Sequence, residues 1–111
     1  DLTNAPTGEK SSLVAERVKR VREVQEKRYS SLGVAITLNA HADGELLDHI
    51  AKPDEVGQAL LKKAAANFKL SARGYRRVLR VARTLADMAD SSCVLEGHIA
   101  EALSYRRLYF T

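Results

Sequence analysis

The chain has 111 residues, and its 18 Lys and Arg against 14 Asp and Glu give a formal net charge of +4. A chain of this length can bury one hydrophobic core, which excludes a complete multi-domain enzyme. No apolar stretch approaches the roughly 20 residues of a membrane span, and no signal-peptide pattern is present, so we expect a cytoplasmic protein without membrane partners.

The first ten residues lack helical periodicity. They contain Pro6 and Gly8, and this composition predicts a mobile linker stump over residues 1–10. Residues 11–111 are then predicted to form one helical domain. Because residue 1 is Asp rather than Met, we expect the chain to be a segment of a longer protein.

A long helix is predicted after this linker. Ser11 is placed to cap it, it runs to about Ser31, and Gly33 ends it. Residues 34–39 have no partner strand in the sequence, so we interpret them as an extended connection. Apolar residues three and four positions apart predict that the buried face of the helix consists of Leu13, Val14, Val18, Val21, Val24 and Leu32.

Two shorter helices follow in the sequence. Asp43 is placed to cap a helix over residues 44–50, with inward positions at Leu46, Leu47 and Ile50. Pro53 breaks this helix and begins the next one together with Asp54 and Glu55, because proline and acidic residues suit a first turn. This third helix is predicted to bury Val56, Leu60, Leu61, Ala64 and Phe68.

The clearest helical pattern runs from the predicted cap Ser71 to about Ala89. Its apolar face is predicted to contain Tyr75, Val78, Leu79, Ala82, Leu85, Ala86 and Ala89. Its opposite face is predicted to carry Arg73, Arg76, Arg77, Arg80 and Arg83. After a polar turn at residues 90–92, a last helix from about Leu95 to Arg107 is predicted to bury Leu95, Ile99, Ala102 and Leu103. The predicted fold class is all-α, a small bundle of four to five helices.

The excess positive charge is concentrated in the last third of the chain. Residues 1–68 contain ten basic and ten acidic side chains, whereas residues 69–111 contain eight basic and four acidic ones. An anionic partner is therefore expected at the arginine-rich helix. One interpretation of its arginines is a hydrated face whose long stems cover apolar surface. The other is a free-standing helical nucleic-acid-binding module that uses Arg76, Arg80 and Arg83.

Arg73 differs from the other arginines because it lies two residues after the predicted cap Ser71, in the first turn of the helix. A cation there is unfavourable by about 0.3–1 kcal/mol, since the helix dipole and the unpaired N–H groups already create positive potential. Folding alone would favour an acid. A guanidinium at a helix N-terminus is suited to hold an anion, phosphate in particular, and a tolerated surface arginine is the alternative.

Other kinds of site find little support in the sequence. There is no P-loop motif and no dinucleotide-binding glycine motif, so we expect the chain alone to be non-catalytic, to hold no bound cofactor and to have only weak affinity for ATP. Cys93 and His98 are near each other, but no third group orients the histidine, which we interpret as a partly buried residue of the last helix. We predict no metal site; the alternative to a solvent-facing turn is a cluster of His41, Asp43, Asp48 and His49.

The run LSARGYRRVLRVARTLAD, residues 70–87, is the most specific pattern in the chain. It closely resembles the C-terminal segment of magnesium-chelatase-like AAA+ ATPases of the ComM/YifB competence-protein type. The chain departs from the pattern at Arg76, where many relatives have His, and at His41-Ala42, where a more apolar pair is expected. Further similarity lies in Gly8-Glu9, Ser11, Glu16-Arg17-Val18, Asn39-Ala40 and the segment from His98 to Arg106.

The resemblance implies that residues 11–111 are the helical lid domain of an AAA+ module. Its core domain, with ATP and Mg²⁺, would lie in another part of the protein. In such lids the arginine that opens this helix is the sensor 2 residue, and Arg73 matches that position, which implies a contact with the γ-phosphate of ATP. Supporting contacts to this arginine or to the anion are expected from Ser71, Arg76, Arg77 and Arg80.

The resemblance also implies partners for the whole protein. These are the AAA+ core domain of the same chain, neighbouring subunits of a homo-hexameric ring, and DNA, because the competence members are associated with branch migration during transformation. Arg73 could serve its own subunit or a neighbour, and the resemblance leaves both alternatives open.

Overall fold

The computed structural model describes the backbone of residues 4–105 and the side chains of residues 11–105. The described residues form five α-helices and one short 3-10 helix at Asn39–His41, without a β-strand, so the predicted all-α fold is confirmed. By its internal contacts the chain divides into two units, Asp1–Leu38 and Asn39–Thr111. That residues 11–111 act as one lid domain stays a prediction. The helices are α1 (Asn4–Leu32), α2 (Gly44–Ile50), α3 (Glu55–Asn67), α4 (Ala72–Met88) and α5 (Glu96–Ser104).

Helix α1 begins earlier than its sequence predicts. It starts at Asn4, so the predicted start at Ser11 is wrong, and residues 4–10 are helical rather than part of a linker. The helix accommodates Pro6 because a first-turn N–H has no intrahelical acceptor, and proline therefore loses no bond there. Residues 1–3 of the predicted linker lie outside the described residues.

The predicted end of α1 is confirmed. Gly33 adopts a φ of +70°, a left-handed conformation that costs glycine little because it has no Cβ. Its N–H donates to the Ser30 carbonyl at 3.1 Å, and the Val34 N–H donates to the Tyr29 carbonyl at 3.2 Å. These two bonds form a Schellman motif, which satisfies carbonyls that the helix end would leave unpaired.

The buried face of α1 is only partly as predicted. Val21 and Tyr29 are buried, but Val14 and Val18 are 54% and 46% exposed. At 3.6 residues per turn all four lie on one side of the helix, with the exposed pair on earlier turns. The periodicity therefore predicts the correct side but not which turns of that side are covered. The other residues predicted to be buried and found exposed are Leu13, Val24 and Leu32.

The predicted helices α2 and α3 are confirmed with their caps. The Asp43 carboxylate accepts the Gly44 N–H at 2.9 Å, and the Asp54 carboxylate accepts the Gly57 N–H at 2.8 Å. Such caps satisfy amide groups that have no intrahelical acceptor. Leu47, Ile50, Leu61 and Ala64 are buried as predicted, whereas Val56 and Phe68 are exposed and were wrongly placed in the core.

The last two helices complete the core of the Asn39–Thr111 unit. Helix α5 packs against both α4 and α3, and α2 packs against α4. The predicted burial of Leu95 is wrong, because this residue is the exposed N-cap of α5. The predicted end of α5 near Arg107 lies outside the described residues. Among the described residues of this unit, the largest apolar side chains without solvent contact are Leu47, Leu61, Val78, Val94 and Ile99.

The last described residue of this unit, Tyr105, forms a hydrogen bond within the C-terminal turn of α5. The Tyr105 hydroxyl donates to Glu101 Oε2 at 3.0 Å, and this hydrogen bond, with the negative charge of Glu101, raises the pKa of Tyr105. None of the helices in the described part of the chain combines the length and the apolar composition that crossing a bilayer requires.

Candidate anion-binding site

The N-terminus of α4 presents Arg73 to solvent. Ser71 is the N-cap, and its Oγ accepts the Gly74 N–H at 3.0 Å, so the predicted cap is confirmed and Arg73 is the second residue of the helix. The Arg73 side chain is exposed, and no hydrogen bond or ion pair joins it to any of the described residues. Ser71 therefore fixes the helix end, and Arg73 carries a cation that the described fold does not neutralise.

Arg73 lies at one end of a groove on α4. Arg77 and Arg80 line the same groove, which has a volume of about 430 Å³. Spacings of four and three residues place these three arginines on one side of the helix. The groove combines guanidinium groups with an apolar surface, and its remaining lining residues are Ala40, Val81, Thr84 and Leu85.

The carboxylate of Asp43 reaches two of the arginines from outside α4. Asp43 Oδ1 lies 3.1 Å from Arg76 Nε and 3.3 Å from Arg80 Nη2. Arg80 Nε also donates to the Ala42 carbonyl at 2.7 Å. Arg76 and Arg80 are thus engaged by the segment at residues 42–43, whereas Arg73 is not.

The same segment is fixed to α4 at its other end by Asn39. This side chain is 1% exposed, and its Nδ2 donates to Asp87 Oδ2 at 2.9 Å and to Thr84 Oγ1 at 3.1 Å. Residues 39–43, which we call the α4 strap, therefore hold α4 at both of their ends.

Arg83 does not belong to the exposed arginine face. It is 3% exposed and pairs with the buried Asp87, with Nη2 at 2.9 Å from Oδ1 and Nε at 3.1 Å. Its other N–H groups bind carbonyl oxygens of Ser91 at 2.7 Å, Ser92 at 3.1 Å and Ile50 at 3.3 Å. The prediction that Arg83 faces solvent is wrong, and with it the part assigned to Arg83 in nucleic-acid binding.

The physical reason for the burial of Arg83 lies in its neighbours. It is about 40° from the buried Leu79 around the helix, at the edge of the apolar face. Ile50 ends α2, and its carbonyl has no intrahelical donor, so a buried guanidinium can satisfy it. An acid four residues further along, Asp87, is the one sequence signal for such a pair.

The remaining sequence candidates are a metal-binding cluster and the pair of Cys93 and His98. No group of three His, Cys, Asp or Glu side chains in this part of the chain is arranged to hold a metal ion. His98 is half-buried in the first turn of α5, as predicted, and its Nδ1 accepts the Leu95 N–H at 3.0 Å. Cys93 is exposed and lies 3.8 Å from the Ser92 hydroxyl.

Comparison with known proteins identifies the domain that carries this site. The family model described as the C-terminal domain of magnesium chelatase subunit ChlI matches residues 8–106. The chain belongs to this family. The magnesium chelatase C-terminal match includes all of α4 and the α4 strap, so the arginine groove is part of the family domain.

Several relatives of this magnesium chelatase C-terminal domain are longer proteins. Competence protein ComM of Haemophilus influenzae is 36% identical over 101 residues, which cover 91% of the chain and 19% of ComM. Protein YifB of Escherichia coli is 35% identical over 101 residues, which cover 91% of the chain and 19% of YifB. The chain therefore spans about a fifth of the length of the curated relatives it matches. The predicted resemblance to the ComM/YifB group is confirmed.

Proposed function

We propose that this domain is the helical lid of an AAA+ ATPase and that Arg73 is its sensor 2 residue. In this role Arg73 contacts the γ-phosphate of ATP that a core domain holds with Mg²⁺. The observation that carries the proposal is an exposed guanidinium in the first turn of α4 that has no partner among the described residues. Membership of the magnesium chelatase C-terminal family supports it.

The chemistry of this contact is electrostatic. Phosphoryl transfer spreads negative charge over the oxygens of the γ-phosphate, and cations that are already in position stabilise that charge without reorganisation. The unpaired N–H groups at the start of α4 add positive potential next to Arg73. Lid position and hydrolysis are coupled in this proposal, because Arg73 reaches the phosphate only when the lid is closed on the core.

The other arginines of the groove have supporting roles. Arg77 and Arg80 line it together with Arg73 and contribute to its affinity for phosphate oxygens. Ser71 acts through the helix cap, which sets the direction of the first turn of α4. Arg76 is not among the residues that line the groove. Its Nε pairs with Asp43, so its supporting role is indirect.

The proposal extends to the assembly of the whole protein. The ATPase is proposed to be a cytoplasmic homo-hexameric ring in which the lid contacts the core domain of its own chain and a neighbouring subunit. Action on DNA is proposed for this ring from the resemblance to the ComM group. The chain spans about a fifth of the length of ComM and YifB, so these properties concern residues beyond the chain.

Binding of ATP by the isolated chain tests the phosphate contact directly. We expect no hydrolysis, because the chain has no P-loop, and weak ATP binding in isothermal titration. Arg73→Ala should weaken this binding further. The matched control is Arg22→Ala, which removes an exposed arginine from α1. Equal ATP affinities for the two variants would contradict the contact.

A measurement of duplex DNA binding distinguishes the proposed lid from the alternative, a free-standing nucleic-acid-binding module. Such a module would lose affinity steeply with salt, and each arginine that contacts a phosphate would add about one unit to the log–log slope. Two of the three arginines assigned to it, Arg76 and Arg80, pair with Asp43, and the third is buried. We therefore expect no shift in fluorescence anisotropy with labelled duplex at low salt. A strong, salt-sensitive shift would favour the module.

A further inference from the structure

We infer that Asp43 is a built-in competitor for the anion that binds in the arginine groove, so that anion binding releases the C-terminal end of the α4 strap. The inference rests on the proposed function, because it takes the groove as a phosphate site. It assigns to Asp43 a part in setting the affinity of that site.

The contacts of Asp43 resemble those that a bound phosphate would make. A single oxygen, Oδ1, lies within 3.3 Å of both Arg76 Nε and Arg80 Nη2, and it also accepts the Gly44 N–H at 2.9 Å. Guanidinium groups and backbone N–H groups are the donors that bind phosphate oxygens in proteins. Asp43 therefore uses donor groups that an incoming anion needs.

Arg80 is the residue at which the competition occurs. It lines the groove with Arg73 and Arg77, and its Nη2 faces Asp43. Its Nε is fixed on the Ala42 carbonyl at 2.7 Å, so the guanidinium cannot turn freely from one partner to the other. A phosphate in the groove must share or take the outer N–H groups of Arg80.

The competitor is weak enough to be displaced. The Asp43 side chain is 62% exposed, and an exposed ion pair contributes a factor of only about five or less to an equilibrium. A phosphate group carries more charge than one carboxylate and offers more acceptor oxygens. Once Asp43 is displaced, the α4 strap is still held by the buried Asn39 and by the bond between Arg80 and the Ala42 carbonyl, so the release is confined to Asp43 and the start of α2.

The variant Asp43→Asn tests the inference without removing the cap of α2. Asparagine caps helices as well as aspartate does, but it has no charge to hold Arg80. With inorganic pyrophosphate as the probe in isothermal titration, we expect Asp43→Asn to bind about two- to fivefold more tightly than the wild-type chain. Asp48→Asn is the matched control, because it removes the same charge from an exposed position of α2. Circular dichroism melting confirms that each variant is folded.

The outcomes separate the inference from the proposed function. Equal pyrophosphate affinities for Asp43→Asn and Asp48→Asn would contradict the role of Asp43 as a competitor. In that case, weaker binding by Arg73→Ala in the same series would still support the phosphate site. Tighter binding by Asp43→Asn with unchanged binding by Arg73→Ala supports the competitor and overturns the role of Arg73. Absence of pyrophosphate binding in every folded variant overturns both. In an Arg80→Ala background, Asp43→Asn should lose most of its effect, and a full effect there overturns the part assigned to Arg80.

Discussion

Arg73→Ala in the proposed ATPase should lower the rate of ATP hydrolysis by a factor of about ten or more, which corresponds to about 1.4 kcal/mol of transition-state stabilisation. The loss should appear in kcat, because charge on the γ-phosphate develops during the reaction. The proposed lid should stay folded, since no hydrogen bond or ion pair joins the exposed Arg73 side chain to the described residues. Phosphate release under saturating ATP measures the effect.

Two control experiments accompany the measurement of ATP hydrolysis by Arg73→Ala. Arg22→Ala removes an exposed arginine from α1 and should leave turnover near that of the wild type. Rings mixed from Arg73→Ala subunits and subunits with a defective P-loop regain activity only if Arg73 acts on the ATP of a neighbour. Wild-type turnover by the pure Arg73→Ala ring would refute the sensor 2 assignment.

Arg83→Ala should destabilise the Asn39–Thr111 unit by about 3–5 kcal/mol, because it leaves the carboxylate of Asp87 buried without its cation. Asp87 is 2% exposed, and the neutral Asn39 amide, which donates to its Oδ2 at 2.9 Å, would not replace the lost cation. The variant also strips a donor from three carbonyls, those of Ile50, Ser91 and Ser92. A loss of this size is a large part of the roughly 5–15 kcal/mol that stabilises a typical domain.

Urea unfolding followed by circular dichroism measures the loss. Arg73→Ala is the control from the same helix, and it should be neutral or slightly stabilising because it removes a cation from a helix N-terminus. Asp87→Asn should cost less than Arg83→Ala, since Arg83 keeps its three carbonyl acceptors. A loss below about 1 kcal/mol for Arg83→Ala would show that the pair contributes no more than an exposed one.

The parts of the fold that the sequence predicts correctly are those with local causes. The caps at Asp43, Asp54 and Ser71 depend on residues at most three positions away, and the Gly33 terminus depends on one backbone angle. For the same reason the position of Arg73 in the first turn of α4 follows from its distance to Ser71. Local rules fix these features before any tertiary contact forms.

The errors concern features that depend on distant residues. Arg83 is buried because carbonyls from residues 50 and 91–92 surround it, and helical periodicity contains no information about them. Arg76 and Arg80 are paired because the α4 strap brings Asp43 to them over a separation of more than 30 residues along the chain. The arginine pattern therefore predicts that α4 has an arginine-rich face, but not which of its arginines already have partners.

The buried amide of Asn39 has a mechanical consequence for the protein. Asn39 is the first residue of the second unit, and its bonds to Thr84 and Asp87 attach the chain to α4 at the point where it enters that unit. Within the second unit, the entry of the chain and α4 are therefore parts of one hydrogen-bonded body. Arg73 lies in the first turn of the same helix, eleven residues before Thr84, so a continuous helix connects the anchored entry of the chain to this arginine.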